Sequence, residues 1–219
     1  MSDRLLVFVK APRPGAVKTR LAAVLGDDGA ARLYRVLAEE EIRRTAPRAG
    51  EYDRTFFFTP EAARPEIEGW LPGETLEPQQ GQDLGQRMSL AFASAFAAGA
   101  RRVAIIGTDV PEAGREHVVE ALRSLDDHDV VLGPTHDGGY YLIALDRPRP
   151  ALFQSIPWST PSVLPATAER AGVLGLGVRM LDPLRDIDTV GDLKAEWGRV
   201  RSLIAGTALE ALVSKAIGI

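Results

Sequence analysis

The 219-residue chain contains no cysteine. That excludes disulfides, cysteine-ligated zinc and a thiol nucleophile. Histidine is scarce. His117, His128 and His136 are the only three, and their spacing fits no metal-ligand pattern. We read them as surface or loop residues, with His136 alone near a candidate site. There is no excess of basic charge: the formal net charge is −4. This argues against a nucleic-acid partner held by a broad basic face, although a local basic pocket is compatible with it. No apolar run approaches the ~20 residues that cross a bilayer. The first run, after Met1-Ser2-Asp3-Arg4, is broken at Lys10, too early for a signal-peptide core. The expectation is a cytoplasmic protein without a membrane span. Internal repeats, low-complexity tracts and linkers are absent too, so a single domain over 1–219 is expected.

Hydrophobic residues make up 45% and charged residues 26%, enough apolar material for a globular core. Leu5–Val9 is a short apolar run ended by the Pro/Gly-rich stretch Ala11–Gly15, which suits a buried parallel strand. A helix is expected near Val17. A second is expected after Asp27-Asp28, with Ala30, Leu33, Tyr34 and Leu37 on one face. Thr55–Thr59 and Val103–Ile106 read as strands, and Glu77–Gln82 as a polar loop. Leu84, Met88, Ala91, Phe92, Ala95 and Phe96 mark an amphipathic helix, and Val118, Leu122 and Leu125 another. Val130–Leu132 and Tyr140–Leu145 suit a hairpin-like insertion. Thr160-Pro161 reads as an N-cap followed by proline at the first helical position. Leu176–Leu181 reads as a last strand, with a helical tail from Gly191. Alternating strands and helices predict an α/β fold, a mostly parallel central sheet covered on both faces.

Ligands in such sheets bind beyond the carboxyl ends of the strands. Four polar segments fall there. Lys10-Ala11-Pro12-Arg13-Pro14-Gly15 and Lys18-Thr19-Arg20 join the first strand to the first helix. Gly15 permits close backbone approach, and Lys10, Arg13, Lys18 and Arg20 supply charge for phosphates. The competing reading is an exposed turn with solvated basic residues. The glycines of a Walker loop or a dinucleotide fingerprint are missing. Gly107-Thr108-Asp109 follows a buried strand. Asp109 there suits either a Mg²⁺ or Mn²⁺ ligand or a helix N-cap. Asp137-Gly138-Gly139-Tyr140-Tyr141 reads first as a hairpin turn, with close ligand approach as the alternative. Asp186 and Asp188 precede the last helix. Either one completes a metal pair with Asp109, or Asp188 or Thr189 caps the helix.

Taken in this order, these segments resemble the radical-SAM/selenodomain-associated transferases up to about residue 195. That family is similar to phospholactate guanylyltransferase and belongs with the nucleotide-diphospho-sugar transferases of GT-A fold. The resemblance implies a three-layer α/β/α sandwich. It also implies that the first loop binds nucleotide phosphates, through Lys10, Pro12, Arg13, Gly15, Lys18 and Arg20 with Thr108. Asp109 and Asp188 match metal aspartates, and Asp137, Gly138, Gly139 and Tyr140 would line the acceptor or sugar side. Two features depart from the wider superfamily. The Gly-Gly-x-Gly start of many sugar nucleotidylyltransferases is missing, and Asp109 stands alone where many glycosyltransferases carry Asp-x-Asp.

The activity expected is metal-dependent glycosyl transfer from a nucleoside-diphosphate sugar to a small-molecule acceptor, with Lys18, Arg20, Asp109 and Asp137 in the catalytic set. The rival is nucleotidylyl transfer from an NTP to a phosphorylated small molecule. A non-catalytic nucleotide-binding protein is the third reading. Oligomeric state is open, a homodimer included.

Overall fold

The computed structural model of the chain describes residues 2–219. Its first strand, β1 (Arg4–Lys10), sends alternate side chains into two different apolar layers. Leu5, Val7 and Val9 enter one, while Leu6 faces the other. That period of two, apolar on both faces, is what places β1 inside a sheet.

The long helix α1 (Thr19–Arg44) is broken at Gly26, whose φ of 69° is not helical. The two helices expected on either side of Asp27 are therefore present but run together. Helix starts at Thr19, two residues after the expected place, because Lys18 takes the left-handed conformation. Then follow β2 (Asp53–Thr59), α2 (Arg64–Trp70), β3 (Leu76–Pro78), α3 (Leu84–Ala97) and β4 (Val103–Ile106). The stretch 77–82 is thus not wholly a loop. Its start pairs with β2 as a short parallel edge strand. Helix α2 has no counterpart in the sequence expectations; it is only seven residues long with one buried residue, Ile67, too few for a periodic signal.

The remaining elements are α4 (Arg115–Ser124), β5 (Val130–Pro134), β6 (Tyr140–Leu145), α5 (Val163–Val173), β7 (Val178–Met180), α6 (Val190–Ala195), α7 (Trp197–Ile204) and α8 (Ala208–Ile217). Thr160 does not cap α5. It closes a turn instead, its hydroxyl donating to the Pro157 carbonyl (2.7 Å), and the N-cap is Ser162.

The sheet has seven strands in the order β3-β2-β1-β4-β6-β5-β7. All pairings are parallel except those of β6 with β4 and β5. The expected hairpin of β5 and β6 forms, but β6 is no peripheral insertion. It lies inside the sheet, between β4 and β5, and is buried from Tyr141 to Leu145. One face of the sheet packs under α2 and α4, through Ile67, Val118, Ala121 and Leu122. The other packs under α3 and α5, through Met88, Phe92 and Ala171. This is an α/β/α sandwich with a mostly parallel sheet, as the alternation predicts. A third apolar cluster joins the start of α1 to α6, α7 and α8 through Leu21, Leu25, Leu193, Val200 and Val213. No helix among the described residues is long and apolar enough to cross a membrane.

Candidate functional site

From β1 the chain passes to β2 on one side, and later β4 pairs with β1 on the other. The strand order reverses there, and crevices open beyond the carboxyl ends of strands at such a point. A cavity of about 430 Å³ lies at this place, within the size range of small-molecule sites. Phe8, Val9 and Lys10 come from β1, Gly107, Thr108 and Asp109 from the end of β4, and Tyr140 and Tyr141 from β6. Gln79, Gln82, Leu84, Arg87 and Met88 close it from the segment leading into α3.

A chain of hydroxyls fixes the two strand ends. The Lys10 backbone N–H donates to Tyr34 Oη (2.9 Å), which lies 3.0 Å from Thr108 Oγ1. Thr108 Oγ1 in turn donates weakly to the Phe8 carbonyl (3.4 Å). Tyr34 and Thr108 are buried at 2% exposure each, so losing one partner strands a polar group. Burial raises the Tyr34 pKa, with the Asp109 charge adding to it, and the phenol stays neutral.

Asp109 does not cap a helix. The N-cap of α4 is Gly114, and the Asp109 carboxylate pairs with Lys18 Nζ at 2.5 Å. The Lys18 side chain is 2% exposed and that of Asp109 54%, so a buried ammonium backs an open carboxylate. Crowding by protein pushes the Asp109 pKa up. The charge and hydrogen bond of Lys18, helped by Lys10, outweigh this and hold it below the ordinary carboxylate value. Lys18 Nζ also stands 4.0 Å from Asp188 Oδ1, and Arg20 Nη1 donates to Asp188 Oδ2 at 3.1 Å. Thr189, not Asp188, caps α6 in a capping box with Asp192. Asp188 is thereby left to the two basic residues.

A second cavity, of about 190 Å³, shares Gly107, Asp109, Tyr140 and Tyr141 with the first. Glu41, Thr135, Asp137, Gly139 and Asp186 help to line it. Asp137 holds its own turn: Oδ1 accepts from Thr135 Oγ1 (2.6 Å) and from the Gly139 N–H (3.0 Å). Gly138, at φ 93°, presses against the Pro161 carbonyl and has no room for a Cβ. Burial raises the Asp186 pKa to about 6, with the charges of Asp137 and Asp192 adding to it. Glu41 is 1% exposed. Its Oε2 accepts from the Val110 N–H (2.9 Å), while Oε1 has no partner among the described residues. Burial raises its pKa well above the usual carboxylate range.

The structure therefore brings Lys10, Thr108, Asp109 and Tyr140 together on the larger cavity, and Asp109, Asp137, Gly139 and Tyr140 on the smaller. Lys18, Arg20 and Asp188 form a charge cluster behind Asp109 and line neither cavity. Pro12 and Arg13 point away: Pro12 lines a separate surface groove with Trp70, and Arg13 pairs with Glu66 at 2.7 Å. Gly15 neighbours Asp27 at the kink of α1. His136 is exposed, and His117 packs edge-on against Tyr141. Sequence reasoning missed Glu41, Gln79 and Arg87. Glu41 had a signal, since a charged residue four places after Leu37 interrupts the apolar face of α1.

Asp109 and Asp188 offer hard oxygens on either side of the Lys18 ammonium. Mg²⁺ and Mn²⁺ sites of one or two carboxylates, completed by water and phosphate oxygens, need no more from the protein. No group of three or more His, Asp or Glu among the described residues is placed to hold a metal. The pair therefore fits such an ion if phosphate supplies other ligands and Lys18 moves its contact to that phosphate.

The DUF2064 family, described as uncharacterized protein conserved in bacteria, matches residues 42–160, more than half of the chain. The chain belongs to this family. A solved structure from Desulfovibrio desulfuricans G20, provisionally named a nucleotide-diphospho-sugar transferase, is 36% identical over 99% of this chain and 97% of its own, with a TM-score of 0.87. Two more distant structures share the fold alone. The inositol-1-phosphate CTP transferase of T. maritima is 15% identical, covering 94% and 98% of the two chains, with a TM-score of 0.56. A manganese complex of Rv0371C from Mycobacterium tuberculosis H37Rv is 14% identical, covering 89% and 97%, with a TM-score of 0.53. No curated protein matches the chain.

Proposed function

We propose that this DUF2064 member is a transferase of the GT-A type, one cytoplasmic domain, that moves a glycosyl group from a nucleoside-diphosphate sugar to a small acceptor. The observation that carries this is the pair of adjoining cavities with Asp109 on their shared wall. One is large enough for a nucleotide; the other is small and lined by hydroxyl-binding carboxylates. The name of the Desulfovibrio relative agrees with a nucleotide-sugar donor. The order of the motifs supports placing the chain with the radical-SAM/selenodomain-associated transferases.

In this reading the donor nucleotide lies over Phe8 and Met88, with Lys10 and Arg87 near its phosphates. Lys18 and Arg20, now spent on Asp109 and Asp188, turn to the diphosphate as its charge builds up. Asp109 and Asp188 would hold Mg²⁺ or Mn²⁺, which would supply charge neutralisation for the leaving nucleoside diphosphate. Asp137 keeps Oδ1 tied to its turn, so Oδ2 is the oxygen left to take the proton of the acceptor hydroxyl. The acceptor oxygen bonds to the anomeric carbon as the bond from that carbon to the diphosphate breaks.

A second reading, nucleotidylyl transfer from an NTP to a phosphorylated small molecule, is favoured by the basic Lys18-Thr19-Arg20 segment and by the fold shared with a CTP transferase. Product analysis separates the two. Incubation of a panel of NTPs and nucleoside-diphosphate sugars with Mn²⁺ and a mixture of hydroxyl-bearing and phosphorylated small molecules as acceptors should release nucleoside diphosphate. Release of pyrophosphate would move the assignment to nucleotidylyl transfer.

A further inference from the structure

The smaller cavity has a one-sided electrostatic character. Asp109, Asp137, Asp186 and Glu41 line it, and no Lys, Arg or His does. Among the described residues only Asp109 of the four has a cation in contact, from Lys18, whose charge reaches Glu41 and Asp186 more weakly. The nearest arginine by sequence, Arg185, is turned to Asp192 (3.6 Å) and Glu196 (3.9 Å) on α6. Asp137 accepts from the Thr135 hydroxyl and the Gly139 N–H, both neutral donors, and pairs with no cation among the described residues.

An acidic cluster alone is common on protein surfaces. Here a second, independent feature points to a ligand. Glu41 is 1% exposed, spends Oε2 on the Val110 N–H and leaves Oε1 without a partner. Buried polar oxygens are satisfied in the great majority of structures, so this one marks a place where a donor is missing. Tyr140 and Tyr141 border the same space. Carboxylates and an unpaired acceptor oxygen together are the surroundings that suit an ammonium group. They repel a phosphate ester at the same distances.

We infer that the Glu41/Asp137/Asp186 cavity is the acceptor site and selects a small hydroxyl-bearing acceptor that carries an ammonium group and no phosphate. The word acceptor rests on the transferase reading above; the ammonium preference rests on the cavity itself. At about 190 Å³ the space admits something of the size of an amino sugar, not a polymer chain. The inference also gives a physical reason to prefer glycosyl transfer, because the rival reaction requires a phosphorylated substrate in this space.

The test uses the full chain at pH 7 and three probes of nearly equal size: D-glucosamine, D-glucose and D-glucose 6-phosphate. Each is titrated calorimetrically, with and without UDP and Mn²⁺. Amide shifts of Gly138 and Gly139 report the place of binding in the unaltered protein. Glucosamine should bind at least tenfold more tightly than glucose, with the phosphate ester weakest and the shifts at Gly138 and Gly139. The double variant Asp137→Asn/Asp186→Asn should lose the preference while unfolding cooperatively. Four results would each overturn the inference: no binding by glucosamine, parity with glucose, tighter binding of the phosphate ester, or a preference that survives the double variant. UDP is followed separately through the amides of Lys10 and Thr108. If those stay still with UDP and equally with ADP, CDP and GDP while the amine preference holds, the donor assignment fails and the ammonium site stands.

Discussion

The two cavities share a wall and differ in almost everything else. The larger has an apolar floor of Phe8, Met88, Ile105 and Ile143, with Lys10 and Arg87 at its rim. The smaller has four carboxylates and no cation. They open at the same end of the sheet, so the contrast comes from what each strand brings there. Parallel β1 ends in Lys10, and β4 runs straight into Gly107-Thr108-Asp109. The antiparallel hairpin brings in the turn at Asp137–Gly139, and the α6 approach brings in Asp186. Reversing one strand inside a parallel sheet thus sets a purely acidic compartment beside one of mixed charge, where Lys10 and Arg87 accompany Asp83 and Asp109. Asp109, backed by Lys18, is the one carboxylate among the described residues that lines both.

The comparison breaks most sharply if that shared residue is removed. Asp109→Ala should lower turnover by about 10²–10³-fold, since an electrostatic element of the shared wall is lost. Steady-state kinetics with the best donor checks this, and full turnover in the variant would remove Asp109 from the machinery. The partition itself depends on Gly138, which abuts the Pro161 carbonyl at φ 93°. Gly138→Ala should cost ~3 kcal/mol by strain and displacement. Urea denaturation reads that loss, and it should weaken acceptor binding while leaving nucleotide binding in place.

On the other side, Tyr34→Phe removes the hydroxyl joining Lys10 to Thr108. It should destabilise by about 1–3 kcal/mol, because a buried N–H loses its acceptor, and should raise KM for the nucleotide more than it lowers kcat.

A smaller effect concerns the acidic compartment and pH. Asp186 is raised to about 6 from 3.8 when folded. The folded state therefore holds its proton longer, and stability falls as pH climbs through about 4 to 6, then levels off. Asp186→Asn should be more stable than the parent by about 1 kcal/mol above pH 6, after allowing for solvent screening, and equal to it below pH 4. Thermal melts across that range decide it; a gain that grows toward low pH would contradict the sign. The smallest effect is expected of Glu41→Gln. Burial raises the Glu41 pKa well above the usual carboxylate range, and an amide of the same shape still offers an acceptor to the Val110 N–H. The amide should then change stability by under ~0.5 kcal/mol, whereas Glu41→Ala opens a void beside Val110 and should cost several times more.

Much of this was legible from order and period. Leu5–Val9 and Val103–Ile106 announce buried strands because both their faces are apolar, and Gly107-Thr108-Asp109 announces a strand end because polar residues follow at once. Asp27-Asp28 marked the start of the second half of α1, and Gly26 before it is where the helix breaks. Asp137-Gly138 was legible as a turn, and its Oδ1 bonds show that it is one. By contrast, Asp109 was ambiguous between cap and ligand. Only the position of Lys18, 91 residues earlier, decides that it caps nothing. Pro12 and Arg13 share a segment with Lys10, yet they face the opposite way, toward Glu66 and Trp70. A turn's direction depends on backbone angles that composition does not specify.

The sequence by itself determined the layers of this protein. Hydrophobic periodicity is local, and it dictates which segments are strands, which are helices and which faces turn inward. Tertiary structure alone decided the charges that meet. Glu41, Asp109, Asp137 and Asp186 are scattered over 146 residues and share one cavity because β6 inserts between β4 and β5. Electrostatic coupling depends on distance through space, and strand order sets that distance.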